Sequence, residues 1–347
     1  MKNLTILTKY STQGASSRYR YFLYLCNLLR EDVNLEIDSF FDTSYLKKIY
    51  SNEKKSFFKI SISYIKRFFV VLNSSKNLVI EYEVFPYLPY FIERFFLKNK
   101  NYILNFDDNV WENYKNKKLL KSKFDSLVEN ASGIIVANNF LFNKLKDKNS
   151  NIIKIPTVVD LNSYQNETTE KFDKFSIVWI GTPITYKYIK SHSFIFQELA
   201  KKIDYQLVII ATKKLENEAI NGVNMLFFDW SSKIEVELLK RSHLGVMPLD
   251  SDEFSKGKSA FKLIQCISAS LPIIASDVGE NSKVVLDNEN GYLVSTNNEW
   301  IDKIYKIYKD KELSKKFSQN SKDIAYNYSI QKYFKEFYVF LDKTFID

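Results

Sequence analysis

Lys258 and Lys262 stand four residues apart in the run Gly257-Lys258-Ser259-Ala260-Phe261-Lys262-Leu263-Ile264-Gln265. A helix that begins near Lys258 and runs through Ser268 would put both ammonium groups on one face of its first turns. Those turns also carry backbone N–H groups without intrahelical partners, which favour an anion. A diphosphate fits that arrangement. Lysine would act as a point charge, neutralising a leaving group without a metal. Two solvated surface lysines are the plainer alternative, in a chain with 50 Lys and Arg. The loop 250–257, closed by Gly257, and the loop 277–281, which holds Gly279, tilt the reading toward a ligand. Asp107 and Asp108 are a second candidate pair, at the end of the apolar run 102–106. Adjacent carboxylates there can orient an acceptor hydroxyl or take its proton. A helix cap or a structural ion pair would use the same residues. His192 and His243, the only histidines, read as structural or surface residues. The sequence shows no Ser-His-Asp set, P-loop or zinc spacing.

Such groups need strand ends to hold them. In the first half, apolar runs at 4–8, 35–41, 78–85, 102–106, 133–137 and 152–156 read as strands, with a helix predicted over 16–30. The polar stretch 162–174 breaks the pattern and reads as a linker. The second half repeats the scheme with strands at 176–180, 206–211, 224–228, 244–247 and 272–276, and helices such as 191–203 and 234–242. Strands alternating with helices predict parallel sheets covered on both faces. Tyr333, Phe334, Phe337, Tyr338 and Phe340 predict a long terminal helix. Gly181, Gly279 and Gly291 follow strand ends, where α/β sheets bind ligands.

The 347 residues suit two domains, each able to bury a core. A content of 45% hydrophobic and 26% charged residues is globular. Cys26 and Cys266 lie far apart in apolar segments and read as two reduced core cysteines of a cytosolic protein. Residues 1–10 look like a strand and not a secretory signal, and no apolar run reaches the ~18–20 residues of a membrane span. Net charge is +9, unevenly spread. Residues 45–76 carry Lys47, Lys48, Lys54, Lys55, Lys59, Lys66, Arg67 and Lys76 against the single acid Glu53, with Phe57, Phe58, Phe68 and Phe69 interleaved. One reading sets this stretch on anionic lipid. The other makes it a solvated helix face over core phenylalanines. No nucleic-acid motif accompanies the charge, so nucleic acid is not an expected partner.

The stretch 244–294 resembles the sugar-nucleotide site of the retaining glycosyltransferase family 4, of GT-B fold. It is most similar to a bacterial subgroup with "GK-x-x-x-K-L-x-Q" in place of the usual Glu-x7-Glu. Leu271-Pro272-Ile273-Ile274-Ala275-Ser276-Asp277-Val278-Gly279 is similar to the family's "G-x-P-V-V-A-S-x-x-G" stretch, with Ser270 where a glycine is common. Asn290-Gly291-Tyr292-Leu293-Val294 resembles its "N-G-x-L-V" end. Val178-Trp179-Ile180-Gly181-Thr182-Pro183 looks like its first C-terminal strand and glycine turn, and Ile155-Pro156-Thr157-Val158-Val159-Asp160 like the element that ends the first domain. The runs 82–89 and 105–111 look like this subgroup too, although many relatives have a His-Asp pair where Asp107-Asp108 stand. The resemblance is weak from 41 to 75.

The resemblance implies two Rossmann-like domains with parallel sheets facing across a cleft. Residues 1–161 would be the acceptor-side domain and 175–328 the nucleotide-sugar domain, with a terminal helix at 329–347 packing back on the first. It implies that Lys258 and Lys262 hold the donor diphosphate. The turn at Gly181 and Thr182 and the backbone at Gly279, Glu280 and Asn281 would lie by the phosphates or the sugar. Gln265 would take the place of a ribose-binding glutamate, and Asp252 and Glu253 would face the sugar or merely line their loop. Ser17, Arg18 and Arg20 would stand in the N-terminal loop near phosphate and acceptor. The reaction implied is metal-independent transfer with retention. It needs no cofactor beyond a UDP- or GDP-linked donor, and its acceptor is a saccharide, plausibly lipid-linked, in bacterial surface polysaccharide synthesis. A cytoplasmic protein, with the inner face of the cell membrane as a contact, follows. The alternatives are a non-catalytic sugar-nucleotide-binding partner of another transferase and a GT-B-like epimerase.

Overall fold

The structure is a computed structural model, and it describes residues 3–50, 53–54, 56–165 and 169–345. Its Cα positions cluster into two compact units. Unit 1 is Met1–Val158 with Gly257–Ser259 and Lys332–Asp347; unit 2 is Val159–Lys256 with Ala260–Gln331.

Unit 1 holds β1 (Asn3–Tyr10), β2 (Asn34–Phe41), β3 (Asn77–Glu81), β4 (Asn101–Phe106), β5 (Gly133–Val136) and β6 (Ile152–Lys154). They form one sheet in the order β2-β1-β3-β4-β5-β6, all pairs parallel. The central strands are apolar on both faces because helices cover both. Leu78, Val79, Ile80, Ile103, Leu104, Ile134 and Ile135 are all fully buried. Order reverses between β1 and β3, which leaves a crevice at the carboxyl ends of those strands. The terminal helix Ile330–Thr344 contributes Phe337, whose ring lies 4.4 Å from that of Tyr24.

Three sequence expectations change here. The strand expected over 78–85 stops at Glu81, because Tyr82 turns to φ 63. The helix expected over 16–30 breaks into Ala15–Arg20, a 3-10 turn at Phe22–Tyr24, and Leu25–Arg30. Cys26 is exposed; only Cys266 is a core cysteine, and burial pushes its thiol up to about 12.

Unit 2 holds β7 (Phe175–Ile180), β8 (Tyr205–Ala211), β9 (Met225–Asp229), β10 (Leu244–Met247), β11 (Ile273–Ser276) and β12 (Gly291–Val294), in the order β12-β11-β10-β7-β8-β9. All five pairs are parallel. Counted from β7, this is the 3-2-1-4-5-6 order of dinucleotide-binding folds, with its switch point between β7 and β10. The sixth strand, β12, was not anticipated. It pairs with β11 so closely that a Cβ on Gly291 would fall 1.8 Å from the Ile273 carbonyl oxygen. The stretch 162–174, read as a linker, opens with the helical turn Asn162–Gln165, whose Tyr164 is buried. Residues 166–168 of it lie outside the described residues.

Candidate active site

In unit 2 the switch point gathers β7, β10 and β11 at their carboxyl ends. β7 ends at Ile180, and Gly181 follows. A Cβ on Gly181 would lie 2.4 Å from the Trp179 ring and 2.9 Å from Lys262 Cε. Glycine is required because the buried Trp179 ring lies against the backbone at this point, with the Lys262 stem beside it. The Lys262 ammonium sits 5.3 Å from the centroid of the Trp179 ring, a cation–π distance. Thr182 and Thr185 form a capping box that turns the chain into the 3-10 helix Pro183–Tyr186.

The ends of β10 and β11 are tied together: Leu249 N–H donates to Ser276 Oγ at 2.9 Å. Asn281, buried, donates from Nδ2 to the Ser276 carbonyl at 2.9 Å and closes the β11 turn. Gly279 sits inside that turn at φ +58, where a Cβ would meet the Lys256 carbonyl at 2.6 Å. Left-handed backbone and a close approach both demand glycine here. Glu280 is half-buried and caps the short helix Asn281–Val284.

The lysine pair takes a different form from the one expected. The helix begins at Phe261 and runs to Ser268. Ala260, at φ 54, is its N-cap, so Lys258 lies in the preceding loop and shares no helix face with Lys262. Lys262 alone occupies the first turn. Lys258 is buried, in the Gly257–Ser259 segment that clusters with unit 1. Gln265 is buried one turn after Phe261. Asp252 and Glu253 are exposed and locally engaged. Asp252 Oδ1 accepts from Ser255 N–H at 2.6 Å, capping the turn Glu253–Lys256, and Glu253 pairs with Lys256 at 2.7 Å.

The strand ends of unit 1 are plugged by side chains. Glu81 Oε2 accepts from Ser17 Oγ at 2.6 Å and from Lys9 N–H at 2.7 Å. Its carboxyl is fully buried, and that burial pushes its pKa up to about 7. Arg20 donates to Asn105 Oδ1 through Nε at 3.0 Å and to the Ile155 carbonyl through Nη1 at 2.6 Å. Ser17 and Arg20 are thus buried and committed to the fold, in contrast to the phosphate-side role expected of them. Arg18 remains half-buried, its guanidinium 4.6 Å over the Tyr19 ring. Asp107, also buried, accepts from the Tyr82 hydroxyl, and Asp108 is half-buried beside it.

Sequence reasoning missed what holds these residues. Tyr82 and Tyr87 both adopt φ 63, unusual for bulky side chains. The loop between them is pinned from outside: Glu93 accepts from Phe85 N–H at 2.7 Å, and Lys123 bridges Glu83 at 2.5 Å and Glu93 at 2.8 Å. Glu81, Glu83, Glu93 and Lys123 carried no local signal except Pro86 and Pro89, which mark a loop. The histidines are structural: His243 Nδ1 accepts from Ser176 N–H at 3.1 Å, and burial holds its pKa down to about 4.

Comparison with known proteins places this geometry. Residues 162–324, which contain the β7 turn, the Lys262 helix and the Gly279 loop, match the family described as glycosyl transferases group 1. An uncharacterized glycosyltransferase of Methanocaldococcus jannaschii is 26% identical over 220 residues. That stretch covers 60% of this chain and 59% of the relative. Among solved structures, the sucrose-phosphate synthase of Thermosynechococcus elongatus aligns with a TM-score of 0.72 at 11% identity, over 99% of both chains. Anabaena HepE, solved in complex with UDP-glucose, aligns at 0.70 with 11% identity, over 99% of this chain and 100% of that one. A glycosyltransferase from Rickettsia africae aligns at 0.68 with 14% identity, over 100% of this chain and 99% of that one. The GT-B fold that the motifs implied, with two parallel Rossmann-like sheets, is the fold these structures share.

Proposed function

We propose that the chain transfers a sugar, with retention, from a UDP- or GDP-linked donor to a saccharide acceptor that is lipid-linked, in building a bacterial surface polysaccharide. The observation that carries the donor part is Lys262, laid across Gly181 at the switch point of the second sheet. A cation there, in the first turn of a helix, meets the charge that develops on a departing nucleoside diphosphate. Lys258, four residues earlier in the chain, is the second cation assigned to that diphosphate. The backbone at Gly279, Glu280 and Asn281 and the turn at Gly181 and Thr182 are assigned to phosphate and sugar, and Gln265 to the ribose. The amide can accept from a ribose hydroxyl, although more weakly than a carboxylate would. On the acceptor side, Asp108 is assigned to the hydroxyl, with Asp107 held beside it through Tyr82. A uridine donor draws support from the UDP and UDP-glucose named with Anabaena HepE. Retention and the lipid-linked acceptor draw support from the family resemblance.

The test is thermal unfolding of the full chain with UDP, GDP and their common sugars. A ligand at 100 times its dissociation constant adds about 2.7 kcal/mol. One nucleotide should raise Tm, and Lys262→Ala should abolish the rise. No shift with any nucleotide, in folded protein at high ligand concentration, would remove the donor site.

A further inference from the structure

The helix Phe57–Asn73 packs Ile60, Tyr64, Val70 and Val71 on the core and yet is apolar on its outer face as well. Its buried residues are Arg67 and Val71. Arg67 donates from Nε to Asp38 Oδ2 at 2.6 Å, from Nη1 to the Val84 carbonyl at 3.2 Å and from Nη2 to the Thr8 carbonyl at 2.8 Å. A buried guanidinium held by these bonds, and by a fourth from Nη2 to the Asp38 carbonyl at 3.1 Å, fixes the rotation of the helix about its axis. The opposite face carries Phe58, Ile62, Ile65, Phe69 and Leu72, exposed by 75%, 47%, 59%, 57% and 50%. Their spacing, alternately four and three residues, draws a single stripe along the helix. Phe57 at its start is 85% exposed.

A neighbouring helix, Tyr90–Leu97, extends the patch. It exposes Phe91 by 68% and Phe95 by 75%. Phe68 of the first helix and Phe95 of the second both pack on Phe96, with ring centroids at 5.1 and 5.3 Å, so the two stripes adjoin. Exposed cations border them: Lys59 on the first helix, Arg94 on the second and Lys98 just beyond it, while Lys66 pairs with Asp38 at 2.5 Å. Neither helix exposes an acid. Glu93, the only one in either, is buried 2.8 Å from Lys123.

We infer that this face beds onto an anionic membrane surface, with the stripe at the acyl boundary and the cations against headgroup phosphates. Isolated exposed apolar residues are ordinary on protein surfaces, but a continuous aromatic stripe across two helices marks an interaction site. The absence of exposed acids selects the occupant. A second copy of this face would bring Lys59 and Arg94 against their own kind, with no exposed carboxylate of either helix opposite. Lipid phosphates satisfy the cations and acyl chains satisfy the stripe. Among the described residues no helix is long and apolar enough to cross a membrane, so the contact lies in the plane of the surface. This inference rests on the face itself and stands apart from the transfer reaction.

The experiment floats the full chain with vesicles of phosphatidylcholine, alone or mixed with phosphatidylglycerol. Binding to mixed vesicles that weakens with salt is expected. Ile62→Ser combined with Ile65→Ser and Phe69→Ser should lower vesicle affinity at least tenfold, by analogy with losing buried apolar groups at an interface. Lys59→Ala should lower it about fivefold. Because these side chains are exposed, Tm and any nucleotide-dependent rise should be unchanged in the variants, which separates this test from that of the donor site. No flotation at low salt, or equal binding to neutral and anionic vesicles, overturns the inference. So does a dimer, measured by light scattering, that the triple variant dissolves, because it would assign the face to a second copy.

Discussion

In the first unit the carboxyl ends of β1, β3 and β4 are filled with side chains: Ser17 on Glu81, Arg20 on Asn105, Tyr82 on Asp107. In the second unit β7 and β11 lead instead into Gly181 and Gly279, and the large side chains against the β7 turn are the buried Trp179 and the half-buried Lys262. Both sheets have a switch point, yet the same architecture is spent differently. Buried polar groups that bond one another rigidify and specify a fold, here with Glu81 Oε2 engaged and Oε1 left without a partner. Glycine turns beside a cation bring backbone N–H groups and positive charge to one strand end, a setting that suits an anion. The difference teaches that a strand-end motif alone does not locate chemistry; whether side chains fill the strand end or glycine opens its backbone does.

The largest effect should come from Lys262. Lys262→Ala removes the cation from the open strand end and leaves the core untouched. Turnover of the nucleotide sugar should fall by about 10²–10³-fold, equivalent to roughly 3–4 kcal/mol of lost transition-state stabilisation. Tm without ligand should hold. Initial rates with the donor identified by thermal shift would measure this, and a variant of unaltered kcat would break the contrast between the two units.

Arg20 supplies the reverse case, somewhat smaller. Arg20→Met keeps most of the packing but strips the donors from Asn105 and the Ile155 carbonyl, both inside unit 1. Each stranded acceptor costs about 1–3 kcal/mol, so a loss of about 3 kcal/mol is expected in urea unfolding. Donor affinity of the folded variant should stay within twofold. If affinity collapsed while stability held, Arg20 would belong to the ligand and not to the fold.

Much of this contrast was readable beforehand, and the failures have physical causes. Runs such as 206–211 and 244–247 announce buried parallel strands by composition alone, and β8 and β10 sit there. β12 escaped because four residues opening on Gly291 are too short a run to announce a strand, and only its fit against Ile273 makes it one. The start of the Lys262 helix escaped because nothing in an alanine foretells φ 54; tertiary packing, with Ala260 only 1% exposed, imposes it. Arg67 was counted with the surface charges of 45–76, but its partner Asp38 is 29 residues away and pulls it inside. Phe58 and Phe69 were weighed as core residues; with Arg67 turned inward, the helix presents them to solvent instead. Periodicity finds the faces of a helix, but it does not say which face a distant carboxylate will claim.

Glu81 offers the finest test of the plugged end. Its buried carboxyl has an ordinary value of 4.5 raised to about 7, chiefly by desolvation. A raised acid binds its proton more tightly when folded than unfolded. Its favourable contribution is therefore fully present below pH 4.5 and lost as pH rises through about 7. Glu81→Gln is neutral throughout and its amide oxygen can still accept from Ser17 and the Lys9 amide. At pH 8 the variant should be more stable than the parent by about 2 kcal/mol, and the two should converge toward pH 5. Urea midpoints across that range would decide it. A gap that does not change with pH would mean that Glu81 stays ionised when folded, and that the plug at the end of β3 is a charged one.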